Sequence, residues 1–582
     1  MKNALLSGLF DQMADVMEIL GEDRFRINSY RKVARVIGDI PTDVEDLLAS
    51  GELAQIPGVG KSSLAKIEEF IKTGATKAHQ ELLSRIPPEL PTLLAIPGVG
   101  PKGVKAVYEQ LKVTNIAELK DAIENGSVAE LPGFGEKKAS AIARGIAFLE
   151  QLSGRIRLDQ ALEAAETVRG FLREVSGLAR IQTAGSVRRR AETIGDVDIL
   201  VGGKGGDSEE AGGRIIQAFT TADFVRDVLA AGPTKGSAII QTQSVPVHVD
   251  VRVVPERSFG AAAQYFTGSK DHNVRLREIA VKAKLKLNEY GLFKGEKMIA
   301  GPQEEEIYHK LGLDYVEPVL REDRGEIKAA KNRALPDLIQ LGDVRGDLHM
   351  HTNASDGASD VAELARAAKD MGHEYICITD HSKSSAIANG LSAKKLAQQI
   401  EQIRAINEKL NGITILAGSE VDILANGALD FDDELLAELD FVIASIHSGM
   451  GSPREKVTTR TLKAMDNPYV SCIAHPTGRL IGQREAMDID MAAVIEHAAR
   501  THTALEVNAN PWRLDLKDVH CKMAIEAGVG LFIGTDAHSP AGLGLMGFGV
   551  ATAARGWAAK ADVLNTLSAA KIISRLRHKR GK

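Results

Sequence analysis

Asp196 and Asp198 stand two residues apart in GDVDIL, and on a strand that spacing turns both carboxylates to one face. A third acid recurs in a similar setting. In VHVDVRV the valines alternate with His248, Asp250 and Arg252, so Asp250 lies on a polar face that can meet the first two acids. Three convergent carboxylates form the hard-oxygen set that two divalent cations, about 3.5 to 4 Å apart, need for phosphoryl or nucleotidyl transfer. Just ahead, Gly185 and Ser186 form a turn whose backbone N–H groups suit a phosphate, and Arg188, Arg189 and Arg190 follow. A lone DxD is common at solvated strand ends. The turn before this one and the alternating strand after it make it a candidate site.

A second set of residues points to a different metal chemistry. DLHMHTNASDG places His349 and His351 on one strand face, with Asp356 after the turn. His381 in TDH, Glu420 in GSE, His447 in SIH, His475 in AHP, and Asp536 and His538 in TDAH bring the candidate ligands to nine. Mixed imidazole and carboxylate donors suit Zn²⁺, Mn²⁺ or Fe²⁺ better than Mg²⁺ alone, and this many suit up to three ions. Attack of an activated water on a phosphodiester is the expected chemistry. Asp380 is placed to orient a ligand from behind, whereas His373, His497, His502, His520 and His578 read as ordinary polar residues.

These side chains need elements to hold them. Around the first set the pattern predicts a helix over about Arg157–Val175, then strands in ARIQTAGSV, VDILVGG and AIIQTQSVPVHVDVRVVP. A tight TGS turn then leads into a basic helix, and a short helix follows over Gln303–Leu313. Around the second set, apolar runs such as YICITD, FVIASIH and GLFIGTDAH alternate with amphipathic helices, the pattern of a parallel sheet or (β/α) barrel. Nearly every run ends in a His, Asp or Glu, where barrel strands place their chemistry. Residues 319–344 are charged and weakly patterned, and read as an interdomain linker.

Ahead of both sets, to about Leu152, the spacing is helical and contains the strong internal repeat of the chain. IPGVG occurs at Ile56–Gly60 and Ile96–Gly100, and LPGFG at Leu131–Gly135. The pairs Gly58 and Gly60, Gly98 and Gly100, and Gly133 and Gly135 permit tight hairpins that leave the next helix's first N–H groups open to a phosphate. A length of 582 residues exceeds what one core supports, so several domains are expected. The net charge of −6 confines polyanion contacts to local patches. No apolar run reaches membrane-span length. Cys377, Cys472 and Cys521 lack CxxC spacing and read as buried thiols of a reducing, cytoplasmic compartment.

The glycine repeats resemble the helix-hairpin-helix motif, which grips DNA backbone without reading sequence. GSVRRRAETIGDVDIL, VHVDVRV and YFTGSKDHN resemble the palm of the family X DNA polymerases, and the nine histidines and acids match the metal positions of the PHP domain found on bacterial polymerases. From about Arg26 to His538 the chain resembles a bacterial family X DNA polymerase fused to a C-terminal PHP domain. The resemblance implies a multidomain α/β chain: a helical helix-hairpin-helix region, an α+β nucleotidyltransferase palm with a thumb-like subdomain, and a distorted (β/α)7 PHP barrel. Its expected units are residues 1–85 (lyase-like), 86–152 (helix-hairpin-helix), 153–257 (palm), 258–318 (nucleotide-selecting), 319–344 (linker) and 345–582 (PHP).

By the same resemblance Asp196, Asp198 and Asp250 hold Mg²⁺ or Mn²⁺, with Asp250 near the primer 3′-hydroxyl. Arg155, Gly185, Ser186 and Arg189 contact the incoming triphosphate. Tyr265, Phe266, Thr267 and Gly268 turn against the sugar, and Asn273 meets the base side. The PHP ligands hold up to three Mn²⁺ or Zn²⁺ ions. INSYRKVARVI and IPGVGKSSLAKIEEFIKTG resemble the family's small 5′-phosphate-binding domain, with Lys66 at the Schiff-base position and Arg26 and Tyr30 at accompanying ones. Ser62 replaces a second lysine there, so phosphate contact stands as the other reading of Lys66. Lys270 stands where polymerase beta has an aspartate near the incoming base.

The implied activity is filling of short gaps during base excision repair, with 3′ to 5′ exonuclease activity and related abasic-site endonuclease and 3′-phosphatase activities. The implied partners are gapped or primed DNA and dNTPs, for a cytoplasmic, nucleoid-associated monomer with no membrane contact. Two other readings stand beside it. One is a PHP phosphoesterase of a small phosphate monoester, tested by comparing that substrate with an oligonucleotide. The other is a non-catalytic DNA-end scaffold, tested by primer extension on a gapped template.

Overall fold

The computed structural model describes the chain except residues 1, 40–43, 57, 97–98, 153, 176–179, 203–208 and 580–582. The N-terminal region is helical, and its apolar spacing builds two adjoining cores. One packs Leu6, Phe10, Val33, Ile37 and Ile67, and the other Met17, Ile96, Val104, Leu119 and Ile142. Each glycine repeat ends at a helix start. The helices Lys61–Thr73 and Pro101–Leu111 begin at Gly60 and Gly100 with no side-chain cap, and a third begins at Gly135. Gly58, at φ 112°, occupies backbone space that an L side chain rarely adopts. Gly98 lies outside the described residues.

Helix α1 (Leu158–Arg173) packs Ala161, Ala165, Val168 and Leu172 against a five-stranded sheet. The strands are β1 (Arg180–Thr183), β2 (Val197–Gly202), β3 (Val225–Ala231), β4 (Lys235–Gln241) and β5 (Pro246–Val254). Their order is β1-β2-β5-β4-β3, with β2 and β5 parallel and the other pairs antiparallel. Beyond β5 come α2 (Phe259–Thr267), α3 (Lys270–Lys282) and a small three-stranded antiparallel sheet. Tyr265 and Phe266 thus belong to a helix, and the turn of the TGS sequence follows it.

The C-terminal part is a sequential, all-parallel seven-stranded sheet: β6 (Gly346–Asp347), β7 (Tyr375–Ile378), β8 (Thr414–Asp422), β9 (Phe441–Ser445), β10 (Cys472–Ile473), β11 (Ala504–Asn508) and β12 (Leu531–Gly534). A parallel bridge between Met350 and Ala537 ties its two ends, giving the nearly closed barrel expected. Strand alternation divides the core. Ile376 and Ile378 pack into the helical shell, while Tyr375 and Cys377 join Phe441, Phe532 and Ile572 on the opposite side. All three cysteines are buried. Among the described residues no helix is long and apolar enough to cross a membrane.

Residues 319–344 correct the expectation of a linker. Arg321 and Glu326 are fully buried, and Leu320 and Ala330 join the core of the small sheet's subdomain. Arg321 pairs with Glu304 at 2.5 Å, and Glu326 accepts at 2.7 Å from the His272 ring. Arg321 and Glu326 are paired inside with partners 17 and 54 residues away, which composition alone does not reveal.

Candidate functional site

The register of β2 and β5 sets Asp198 directly beside Asp250, and Asp196 precedes β2 by one residue. One ligand oxygen from each of the three acids lies within 4.8 Å of the others. The turn before them fits only because position 185 is glycine. A Cβ there would stand 2.5 Å from Asp198 Oδ2, and the backbone is at φ 61°. Burial, then the charges of Asp196 and Asp250, push the Asp198 pKa up to about 7. Three carboxylates this close resist joint ionisation without a cation.

Lys235, which sequence reasoning passed over, is the nearest compensating charge. It lies two residues along β4 from Ser237, the cross-strand partner of Asp250, and its Nζ is 2.7 Å from Asp250 Oδ2. Burial opposes ionisation of Asp250, but the Lys235 ammonium overrides it and holds the carboxyl below the usual range. Asp250 Oδ1 is buried with no hydrogen-bond partner. A hard cation fits that arrangement.

Around the acids, Arg155 donates to Thr193 Oγ1 at 3.0 Å. Arg189 donates to Glu322 at 3.0 Å and to the Thr267 carbonyl at 2.6 Å. Ser186 and Arg189 line one cavity with Arg155. Tyr265 and Phe266 meet edge to face at 5.1 Å, with Arg252 over the Phe266 ring. The bond between Gly268 and Ser269 is cis. Asn273 is turned inward, donating to the Tyr265 carbonyl at 2.7 Å and accepting from Gln264 at 2.6 Å. Lys66, far from this cluster in the chain, donates to Ser62 Oγ at 2.8 Å and lies 5.6 Å from the Tyr30 ring centre.

The second centre gathers its residues at the strand ends of the barrel. Three groups bring ligand atoms together within 4.8 Å: His351, Asp356, His381 and His538; His349, His351 and Asp536; and His381, Glu420 and His447. His475, the ninth, lies 3.0 Å from Glu420 Oε1. Glu420 is the hub, also 3.0 Å from His381 and 3.2 Å from His447. Burial alone would raise its pKa, but His447, His381 and His349 hold the carboxyl well below the usual range. His351 Nδ1, His381 Nδ1 and Glu420 Oε2 are buried without hydrogen-bond partners. His381 and Glu420 are therefore close without hydrogen-bond geometry, as donors facing a shared cation would be.

Three supporting residues escaped the motif search. Glu506 lies 2.7 Å from His349 Nδ1, Asp422 lies 2.8 Å from His447 Nδ1, and Asn508 donates to Asp536 at 3.1 Å. An imidazole bonded through Nδ1 keeps Nε2 for a metal. Asp422 sits two residues after Glu420 and Glu506 interrupts an apolar strand, which are the signals that would have found them. Asp380 acts at one remove: it accepts from Thr352 and Ser355, and Ser355 reaches Asp356 at 3.2 Å.

Known proteins resemble the chain along most of its length. Family models match as a helix-hairpin-helix domain over residues 1–76, a SAM-like helix-hairpin-helix tandem over 90–147, the DNA polymerase beta palm over 155–256, the DNA polymerase beta thumb over 262–322 and the PHP domain over 347–509. Probable phosphatases of Caldanaerobacter subterraneus and Shewanella sediminis are 32% and 33% identical over 203 and 208 residues, covering 33% and 34% of this chain and 75% and 80% of theirs. The DNA polymerase/3'-5' exonuclease PolX of Bacillus subtilis is 37% identical over 562 residues, 96% of each chain. The chain belongs to the bacterial family X DNA polymerases that carry a C-terminal PHP domain.

Proposed function

We propose that the protein is a DNA-directed DNA polymerase that fills short gaps in base excision repair and trims 3′ ends with its PHP domain. The pairing of Asp198 with Asp250 across β2 and β5, beside the Gly185 turn, is the observation that carries this reading. Asp196, Asp198 and Asp250 would hold Mg²⁺ or Mn²⁺, and the nine PHP residues up to three Mn²⁺ or Zn²⁺ ions. Bound there, divalent cations supply charge neutralisation at phosphate and a lowered pKa for the attacking hydroxyl or water.

The chain's own residues then divide the work. Asp250 faces the primer end, and Arg155, Ser186 and Arg189 receive the dNTP phosphates. Tyr265, Phe266 and Gly268 border the sugar. Asn273 and Gln264 already bond to one another, which favours a structural part for Asn273 in holding α2 against α3. The uncapped helix starts after Gly60 and Gly100, and the helix start at Gly135, suit DNA phosphates as the grip of a monomer on gapped DNA. Lys66 is best suited to a 5′-phosphate, since Ser62 and Tyr30 already hold its amine; lyase chemistry is the second reading. In the PHP centre, Glu506 and Asp422 orient His349 and His447, and abasic-site endonuclease and 3′-phosphatase activities fit the same donors.

Extension of a primer across a one-nucleotide gap, beside 3′ degradation of single-stranded DNA by the same preparation, tests the proposal. Absence of templated extension would overturn it. Hydrolysis of a small phosphate monoester in place of an oligonucleotide would favour the phosphoesterase reading supported by the probable phosphatases.

A further inference from the structure

The cavity that holds Arg155, Ser186 and Arg189 is closed on its far side by the PHP domain. Its volume is about 320 Å³, and Lys517, Asp518, Thr552 and Arg555 form the opposite wall. That is the share of liquid volume of about ten water molecules. Six cationic side chains and three acids line it, an excess of three positive charges at an interface where two domains meet. A cleft wall with an excess of one sign attracts a compact anion of the other.

The palm wall of the cavity lies next to the segments that carry the acids. Arg155 Nη1 lies 3.4 Å from where a Cβ on Gly195 would stand, one residue before Asp196. Ser186 follows Gly185, where a Cβ would stand 2.5 Å from Asp198 Oδ2. The PHP wall is fixed to the palm by paired charges. Glu192 bonds Arg479 at 2.7 Å and approaches Lys517 at 3.5 Å. Glu322 bridges Arg189 and Arg555, at 3.0 Å to each, and Arg555 also donates to the Arg189 carbonyl. Asp518 is taken by Arg555 and Arg324, each at 2.8 Å. Lys517, by contrast, has only the longer contact to Glu192 and keeps 42% of its side chain exposed.

We propose that Lys517, a PHP residue, completes the polymerase's anion site in this cavity, beside the Arg155, Ser186 and Arg189 that the polymerase reading already gives to the diphosphate. The PHP domain thereby contributes to nucleotide addition by completing the phosphate pocket, apart from its own nuclease chemistry. The diphosphate is either the β,γ end of the incoming dNTP or the pyrophosphate that leaves. The inference rests on the polymerase reading above.

The test uses the full chain with Lys517→Ala and Lys517→Arg in single-nucleotide gap filling, with dNTP titration, inhibition by inorganic pyrophosphate and the 3′ exonuclease rate of each preparation. Loss of one charge-assisted contact should raise the dNTP KM or the inhibitory pyrophosphate concentration about ten-fold in Lys517→Ala, with kcat held within about two-fold. Lys517→Arg should restore most of it, and exonuclease should not change. A shift in dNTP KM assigns the pocket to the nucleotide tail, and a shift in pyrophosphate inhibition alone assigns it to the product. If neither moves while the variant still extends primers, the proposal is wrong. A joint fall in kcat and exonuclease would also overturn it, making Lys517 an interdomain strut. Failure of the wild type to extend primers would instead sink the polymerase reading.

Discussion

His349 Nδ1 and Glu506 Oε1 lie 2.7 Å apart, joining β11 to the residues that follow β6 across the base of the PHP centre. The same carboxylate accepts from the His475 backbone at 2.5 Å, so one fully buried acid orients two of the nine candidate ligands. Glu506→Gln keeps the shape but removes the charge and one acceptor. It should cost about 10- to 100-fold in Mn²⁺ affinity or exonuclease rate, with gap filling unaltered. An unchanged Mn²⁺ dependence of nuclease activity would dismiss the role.

The two centres should separate by mutation. Asp250→Ala removes a member of the palm triad and should abolish nucleotide addition, with 3′ degradation of single-stranded DNA retained. His349→Ala with His351→Ala should do the reverse. Extension surviving the first change, or degradation surviving the second, would move the chemistry elsewhere.

The metal-facing residues were legible in sequence because chemistry restricts them. Strand alternation around Asp250 and the HxH of His349 and His351 state their geometry in two or three residues. Their supports were harder to read: Glu506 shows only as a charge inside an apolar strand, and Lys235 acts through strand register, which depends on which strands become neighbours. The same cause hid the packing of residues 319–344: Arg321 reads as solvated until Glu304 is placed against it. The barrel was legible as alternating runs, but the contact of Arg555 with Arg189 joins residues 366 positions apart.

Removal of metal should lower stability as well as activity. Three buried donor atoms of the PHP centre lack hydrogen-bond partners, and a cation bound only by the native state adds about 2.7 kcal/mol at a hundred times its Kd. Thermal unfolding should shift upward with Mn²⁺ and downward after chelation. The His349→Ala, His351→Ala protein should lose most of that difference, and an equal shift in it would place the stabilising ion outside this centre.

Lys66 lies in the first hairpin's helix, close to Ser62 and Tyr30. As a point charge on phosphate it should matter most where a 5′-phosphate is present. Lys66→Ala should weaken binding to a 5′-phosphorylated gap several-fold more than to the unphosphorylated one and reduce the salt slope by about one. Borohydride trapping of wild type, but not Lys66→Ala, on an abasic 5′ end would establish the lyase reading instead.

Stability in acid should track Glu304. Its carboxylate bonds Arg188 at 2.7 Å and Arg321 at 2.5 Å. Burial acts to raise its pKa, but Arg321 and Arg188 prevail and hold it down at about 2, below its ordinary 4.5. A folded-state pKa below the unfolded one stabilises the fold above the unfolded value, and the contribution disappears as pH falls through the folded value. The ion pairs should therefore contribute about 3 kcal/mol at pH 6, declining from about pH 4.5 toward 2. Glu304→Gln leaves Arg321 buried without its charge partner, a change that costs about 3 to 5 kcal/mol near neutrality. Urea midpoints of wild type and variant should differ most above pH 5 and draw together as pH falls from about 4.5 toward 2. A gap that stays constant over that range would show that Glu304 contributes shape and hydrogen bonds but not charge.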